Sequence, residues 1–136
     1  MPDEVILDSS VVAAMFFKED ASIRALDAAA KSDLITLDLA ITEVGNVAWK
    51  QVVLCGADKD QTLVAFKKCQ SFIFQACELV RAEELTIKAY DIAVETRTAF
   101  YDSLFLAAAE ARQVPLLTLD RKLYEMARLT RNVRLI

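Results

Sequence analysis

Val5-Ile6-Leu7-Asp8-Ser9-Ser10 is the stretch on which the fold turns. Three apolar residues in a row, stopping at an acid and two serines, do not alternate as a half-exposed strand would. They read as a short strand buried on both faces, which is the habit of a parallel sheet. A parallel strand reaches its neighbour only through a crossover, most often a helix. The next residues supply one. Val11 to Phe17 is apolar and predicts a short helix, and Glu19 to Ala30 sets Ile23, Leu26 and Ala30 among charges, as an amphipathic helix does. Leu34-Ile35-Thr36-Leu37 then predicts a second strand.

The alternation continues to the end of the chain. Asp38 is placed to cap a helix carrying Ile41, Val44, Ala48 and Val52 at helical spacing, with Gly56 as its stop. Asp58 to Gln75 predicts another helix, Glu78-Leu79-Val80 a weak strand, and residues 83–97 a helix. Asp102 to Arg112 is apolar nearly all round, so this helix should lie deep in the fold. Pro115 introduces the strand Leu116–Leu119, Arg121 to Arg128 predicts a helix, and Val133–Ile136 a closing strand. No strand pair is joined by a tight hairpin. The expected fold is α/β, a parallel sheet with helices on both sides. Neither a repeat nor a linker divides residues 1–136, so one domain is expected.

Composition narrows the chemistry. Of 136 residues, 55% are hydrophobic and 26% charged, a balance that builds a packed core. No apolar run reaches the roughly 18 residues of a membrane span, and the acidic start Met-Pro-Asp-Glu does not resemble a secretory signal. A cytoplasmic protein is the expectation. The 3 cysteines are odd in number and none forms a Cys-x-x-Cys pair, so they are expected as small core residues and not as a disulfide framework or zinc site. Trp49 is expected as a core or interface anchor. Histidine is absent. That removes Ser-His-Asp and Cys-His catalysis and every histidine-ligated metal. A metal held by carboxylates and water alone should be a hard ion, Mg²⁺ or Mn²⁺.

The net charge of −4 is unevenly distributed. Residues 112–136 carry six bases (Arg112, Arg121, Lys122, Arg128, Arg131 and Arg134) against Asp120 and Glu125, which leaves a strongly acidic remainder. A basic end beside an acidic body can steer a phosphate backbone, although solvated helix charges explain any one of these residues equally simply.

Four acids carry the functional reading. Asp8 follows the first strand and Asp120 follows the strand Leu116–Leu119, so both should project where open parallel sheets bind ligands. Glu43 lies about a turn into the helix after the second strand, and Asp102 opens the apolar helix. Taken singly, Asp8, Asp102 and Asp120 are also good helix caps and Glu43 a good surface residue. Gathered at one pocket, four anions would repel, and a divalent cation would relieve them while supplying a Lewis acid and an activated water for phosphodiester hydrolysis. Ser9, Ser10, Thr118 and Asn46 are polar groups near these acids that could orient ligands or water.

The pieces Ile6-Leu7-Asp8-Ser9-Ser10-Val11, Glu43-Val44-Gly45-Asn46-Val47, Tyr101-Asp102-Ser103-Leu104-Phe105-Leu106-Ala107 and Leu117-Thr118-Leu119-Asp120-Arg121-Lys122-Leu123 resemble, in this order, the PIN-domain nuclease family and especially its small VapC-type toxins. The resemblance covers essentially the whole chain. It implies a three-layer α/β/α sandwich around a mostly five-stranded parallel sheet, and Mg²⁺- or Mn²⁺-dependent endonucleolytic cleavage of RNA. It also implies that Asp8, Glu43, Asp102 and Asp120 bind metal, supported by Ser10, Thr118 and Asn46. A homodimer is implied, together with a small VapB-type antitoxin that occludes the acidic pocket. The helices rich in Phe and Ala, with Phe66, Phe72 and Phe74, are the expected dimer surface.

Rival readings are weaker. Haloacid dehalogenase-type phosphatases need a second acid in place of Ser10, and response-regulator receivers need an acid after a middle strand, where Leu79-Val80-Arg81 has none. A non-catalytic scaffold of the same fold, binding RNA or protein, is the alternative from another class.

Overall fold

In the computed structural model, which describes residues 2–17 and 19–136, five strands and seven α-helices alternate. The strands are β1 (Glu4–Leu7), β2 (Asp33–Leu37), β3 (Cys77–Val80), β4 (Leu116–Thr118) and β5 (Val133–Leu135). The helices are α1 (Ser9–Phe16), α2 (Ser22–Ala30), α3 (Leu39–Val53), α4 (Lys59–Ala76), α5 (Thr86–Thr96), α6 (Phe100–Arg112) and α7 (Arg121–Ala127). A single 3₁₀ turn, Ala82–Leu85, precedes α5. All strand pairs are parallel, in the order β3-β2-β1-β4-β5.

The central strand β1 is buried from Val5 through Leu7, as its unbroken apolar run requires. The edge strands β3 and β5 are short and partly exposed and carry Glu78 and Arg134, features that discourage pairing with another chain. α1 packs against α2, α3 and α4, while α6 lies across β1, β2 and β4 with α5 on its outer side. Seven consecutive residues of α6, Ser103 to Ala109, are buried. Their three alanines let this helix approach the sheet closely. The Gly45–Phe66 contact does the same for α3 and α4. A Cβ on Gly45 would stand 3.0 Å from the tip of the Phe66 ring.

Several expectations are corrected. α2 begins at Ser22, whose hydroxyl ties back to the Ala14 carbonyl at 2.5 Å and fixes the junction with α1. Asp38 does not cap α3. It already has helical backbone angles, and its carboxylate instead accepts the Ala82 N–H at 2.9 Å, across from β3. α3 ends at Val53, and Gly56, at φ 73°, turns the chain so that the Ala57 N–H reaches the Gln51 carbonyl at 2.9 Å. The helix expected over 83–97 is a 3₁₀ turn followed by α5, closed by Arg97 in the left-handed region at φ 61°. Cys69 is buried, but Cys55 is exposed and Cys77 half-buried, so only one cysteine belongs fully to the core. Trp49 is half-exposed, which removes the core role expected for it and leaves the interface one. Phe66 and Phe72 are partly buried within the chain, Phe72 against Phe16, and only Phe74 of the three is exposed. Among the described residues no helix is long and apolar enough to cross a membrane.

Candidate active site at the β1–β4 mouth

The chain leaves β1 toward β2 on one side and returns to β4 on the other, so the carboxyl ends of these two neighbours border the topological switch point of the sheet. Register sets what meets there. Ile6 pairs with Leu116 and Leu7 with Leu117, which brings the next residue, Asp8, level with Thr118.

Asp8 is buried. Its Oδ1 accepts the Ser10 hydroxyl at 2.5 Å and the Val11 N–H at 3.3 Å, and its Oδ2 accepts the Thr118 hydroxyl. Capping α1 and facing the mouth are therefore compatible roles. Ser10 and Thr118 also clasp the two strands together. The Ser10 Oγ accepts the Leu119 N–H at 3.0 Å, and the Thr118 Oγ1 accepts the Asp120 N–H at 3.0 Å. Asp120 is exposed and caps α7 through one oxygen, which accepts the Leu123 N–H at 3.1 Å. Glu43, half-buried one turn into α3, accepts the Ser9 hydroxyl at 3.0 Å. Asp102 is half-buried in the first turn of α6, where the helix dipole favours an anion, but it does not cap the helix. Asn46 is exposed, and no side-chain partner for it occurs among the described residues.

The four acids feel one another. Burial pushes the Asp8 carboxyl up to about 6; bonds from Ser10, Thr118 and Val11 pull it back, and the charge on Asp102 adds to the rise. Burial likewise pushes Glu43 up to about 7, with Ser9 opposing and Asp102 and Asp8 reinforcing. Asp102 is raised by burial and then by Asp120. None of the four is within ion-pair distance of a Lys or Arg among the described residues.

Their convergence is looser than expected from the sequence. Among the described residues, no group of three acids or cysteines is clustered tightly enough to enclose an ion. Mutual repulsion spreads like charges, and the serine and threonine hydroxyls hold Asp8 and Glu43 back. Only Asp102 and Asp120 line the same small cleft, of about 90 Å³, together with Arg97, Thr98, Lys122 and Met126. The donor set nonetheless fits a hard divalent cation: all oxygen, mutually repelling, and without a basic partner.

Sequence reasoning ranked Ser9 below Ser10, yet Ser9 is the residue that holds Glu43. It missed Thr98, a cleft residue buried in a hydroxyl relay with Thr96 (2.8 Å) and Ser103 (2.6 Å). The only signal available was two threonines flanking Arg97 just before the apolar helix.

Residues 5–129 match the model of the PIN domain. Two proteins of Pyrobaculum aerophilum are similar along nearly the whole chain. Ribonuclease VapC3 is 32% identical over 123 residues, covering 90% of this chain and 93% of the relative. Exonuclease VapC9 is 31% identical over 123 residues, covering 90% and 85%. Among solved structures, PAE2754 from the same organism superposes with a TM-score of 0.70 at 27% identity, covering 93% of this chain and 87% of that one. A toxin–antitoxin complex from Klebsiella pneumoniae superposes with a TM-score of 0.64 at 16% identity, covering 96% and 95%. With this match, and with its five parallel strands between helical layers, the chain belongs to the PIN domain family.

Proposed function

We propose that this protein is a Mg²⁺- or Mn²⁺-dependent endoribonuclease that hydrolyses RNA phosphodiester bonds and is the toxin of a type II toxin–antitoxin pair. The observation that carries the reading is the set of four carboxylates, Asp8, Glu43, Asp102 and Asp120, electrostatically linked at one mouth of the sheet without a basic partner. The relatives' names, a ribonuclease and an exonuclease, support nuclease chemistry.

These acids would hold the metal, with Asp102 as the member linked to each of the other three. Ser10 and Thr118 fix the orientation of the Asp8 carboxylate, and Ser9 does so for Glu43. Asn46 stands on the outer rim of the same helix as Glu43. When bound, the ion supplies Lewis-acid stabilisation of phosphodiester charge and lowers the pKa of water for attack. The chain's own part is to orient the carboxylates; burial favours the protonated form of Asp8 and Glu43, and the bonds from Ser10, Thr118, Val11 and Ser9 oppose it.

The reading includes a small antitoxin that covers the acidic mouth. The fold shared with a protein solved as a toxin–antitoxin complex supports it. It also includes a homodimer in the cytoplasm, for which Phe74 on α4 and Ile87, Tyr90 and Val94 on α5 offer exposed apolar surface. Light scattering of the purified protein checks the dimer.

The decisive experiment offers linear and circular single-stranded RNA to antitoxin-free protein in Mg²⁺, in Mn²⁺ and in chelator. Cleavage of the circle, only with metal, is expected. Cleavage of the linear strand alone would make the enzyme an exonuclease. One observation favours a second reading. Both Asp8 oxygens already accept hydrogen bonds, as they would in a non-catalytic scaffold. RNA bound but left intact in both metals would establish that reading.

A further inference from the structure

The cleft that Asp102 and Asp120 share is also lined by two cations, Arg97 and Lys122. Opposite charges in so small a space would ordinarily close on each other. Here neither cation makes an ion pair with any acid among the described residues; of the basic C-terminal end, Arg112, Arg128 and Arg131 are paired and Arg121 and Arg134 are not.

Arg97 sits in a turn that its neighbours fix. The Thr96 and Thr98 hydroxyls bond across it at 2.8 Å, Thr98 bonds on to Ser103 at 2.6 Å, and Ser103 reaches the Ala99 carbonyl at 3.1 Å. This buried relay fixes the junction of α5 with α6, where Arg97 is exposed in the left-handed region at φ 61°. Lys122 comes from the other wall, as the second residue of α7, two positions beyond Asp120.

We infer that Arg97 and Lys122 are substrate-positioning residues, which grip a phosphate of single-stranded RNA beside Asp102 and Asp120. The inference rests on the ribonuclease reading and adds how the strand is held against an acidic site. A polyanion approaching four carboxylates needs fixed positive charge close by. An arginine and a lysine lining one cleft can provide it, the first by a planar fork and the second as a point charge.

The test is fluorescence anisotropy of a labelled single-stranded RNA in chelator, where no strand is cut, from about 50 to 200 mM salt. Each phosphate contact adds about 0.7 to the slope of log affinity against log salt. Arg97→Gln and Lys122→Gln should each make the slope shallower by about 0.7, and the pair by about 1.4. Arg97→Lys should keep the slope, and Arg24→Gln, an exposed cation on α2 outside the cleft, should leave it unchanged. Circular dichroism melting of each variant separates loss of fold from loss of contact. Wild-type slopes in folded Arg97→Gln and Lys122→Gln would overturn the inference, and RNA cleavage by the wild type would leave the ribonuclease reading intact. A wild type that cuts no RNA in either metal would sink that reading alone, and the slopes would still decide whether the two cations hold phosphate.

Discussion

The two ends of α6 treat acids in opposite ways. Near its C-terminus, Glu110 is paired with Arg131 at 3.6 Å and Lys88 at 3.7 Å, and Arg131 reaches on to Glu95 at 2.6 Å. At its N-terminus, Asp102 faces other acids and has no cation within ion-pair range among the described residues. The acids at the C-terminal end, Glu110 and the neighbouring Glu95, are neutralised by cations. Those at the β1–β4 mouth are left unneutralised, against the electrostatic interest of the folded chain. A cost of this kind marks a functional site more reliably than the presence of carboxylates alone.

The largest expected effect comes from setting the two ends against each other. Asp102→Asn and Asp8→Asn should abolish RNA cleavage, while Glu110→Gln, on the same helix, should leave it at the wild-type rate. Equal losses in all three would erase the distinction. Next come the hydroxyls that orient the acids. Thr118→Val and Ser9→Ala should each lower cleavage about 10–100-fold, the range typical of residues that hold metal ligands. Titration of metal against activity checks this, since the loss should include weaker metal affinity.

Stability provides a third contrast, with a definite sign. The Asp8 carboxyl ordinarily titrates near 3.8 and in the fold near 6. The protonated form is therefore favoured by folding. The associated stability is fully present below the ordinary value and is lost as pH rises through the folded one. Glu43 behaves alike between 4.5 and about 7. In metal-free protein, Asp8→Asn should thus raise stability near neutral pH by up to about 3 kcal/mol, with little gain near pH 4. Asparagine can still accept the Val11 N–H and serve as a cap. Chemical denaturation at the two pH values reads the difference. Added Mn²⁺ should reverse the pattern, stabilising the wild type more at neutral than at acid pH and the variant hardly at all. The smallest effect belongs to the paired end. Arg131→Ala should cost about 1 kcal/mol of stability, because its partners are half-exposed, and leave cleavage unchanged.

Much of this was legible in the sequence because it depends on local pattern. Val5-Ile6-Leu7 reads as a strand buried on both faces, and Asp8 and Asp120, placed just beyond β1 and β4, follow the sheet to its binding edge. The buried face of α6 was equally plain from its run of apolar residues. Long-range pairing was not legible. Asp38 looked like a cap, and it became a tie to the β3 end through Ala82, 44 residues away. Ser9 and Ser10 are neighbours with the same side chain, and nothing local told which would meet Glu43. Phe66 and Phe72 read in the sequence as surplus apolar groups, and in the fold they pack on Gly45 and Phe16. The tightness of the acid cluster also lay beyond sequence, since hydroxyl bonds and repulsion, not spacing, set where each carboxylate points.

Calorimetric titration of Mn²⁺ into the metal-free protein, its Asp8→Asn and Asp120→Asn variants, and Glu110→Gln tests the central claim most directly. Saturable binding to the wild type and Glu110→Gln, lost in both aspartate variants, is the predicted result. Equal binding by all four proteins, or by none, would contradict it.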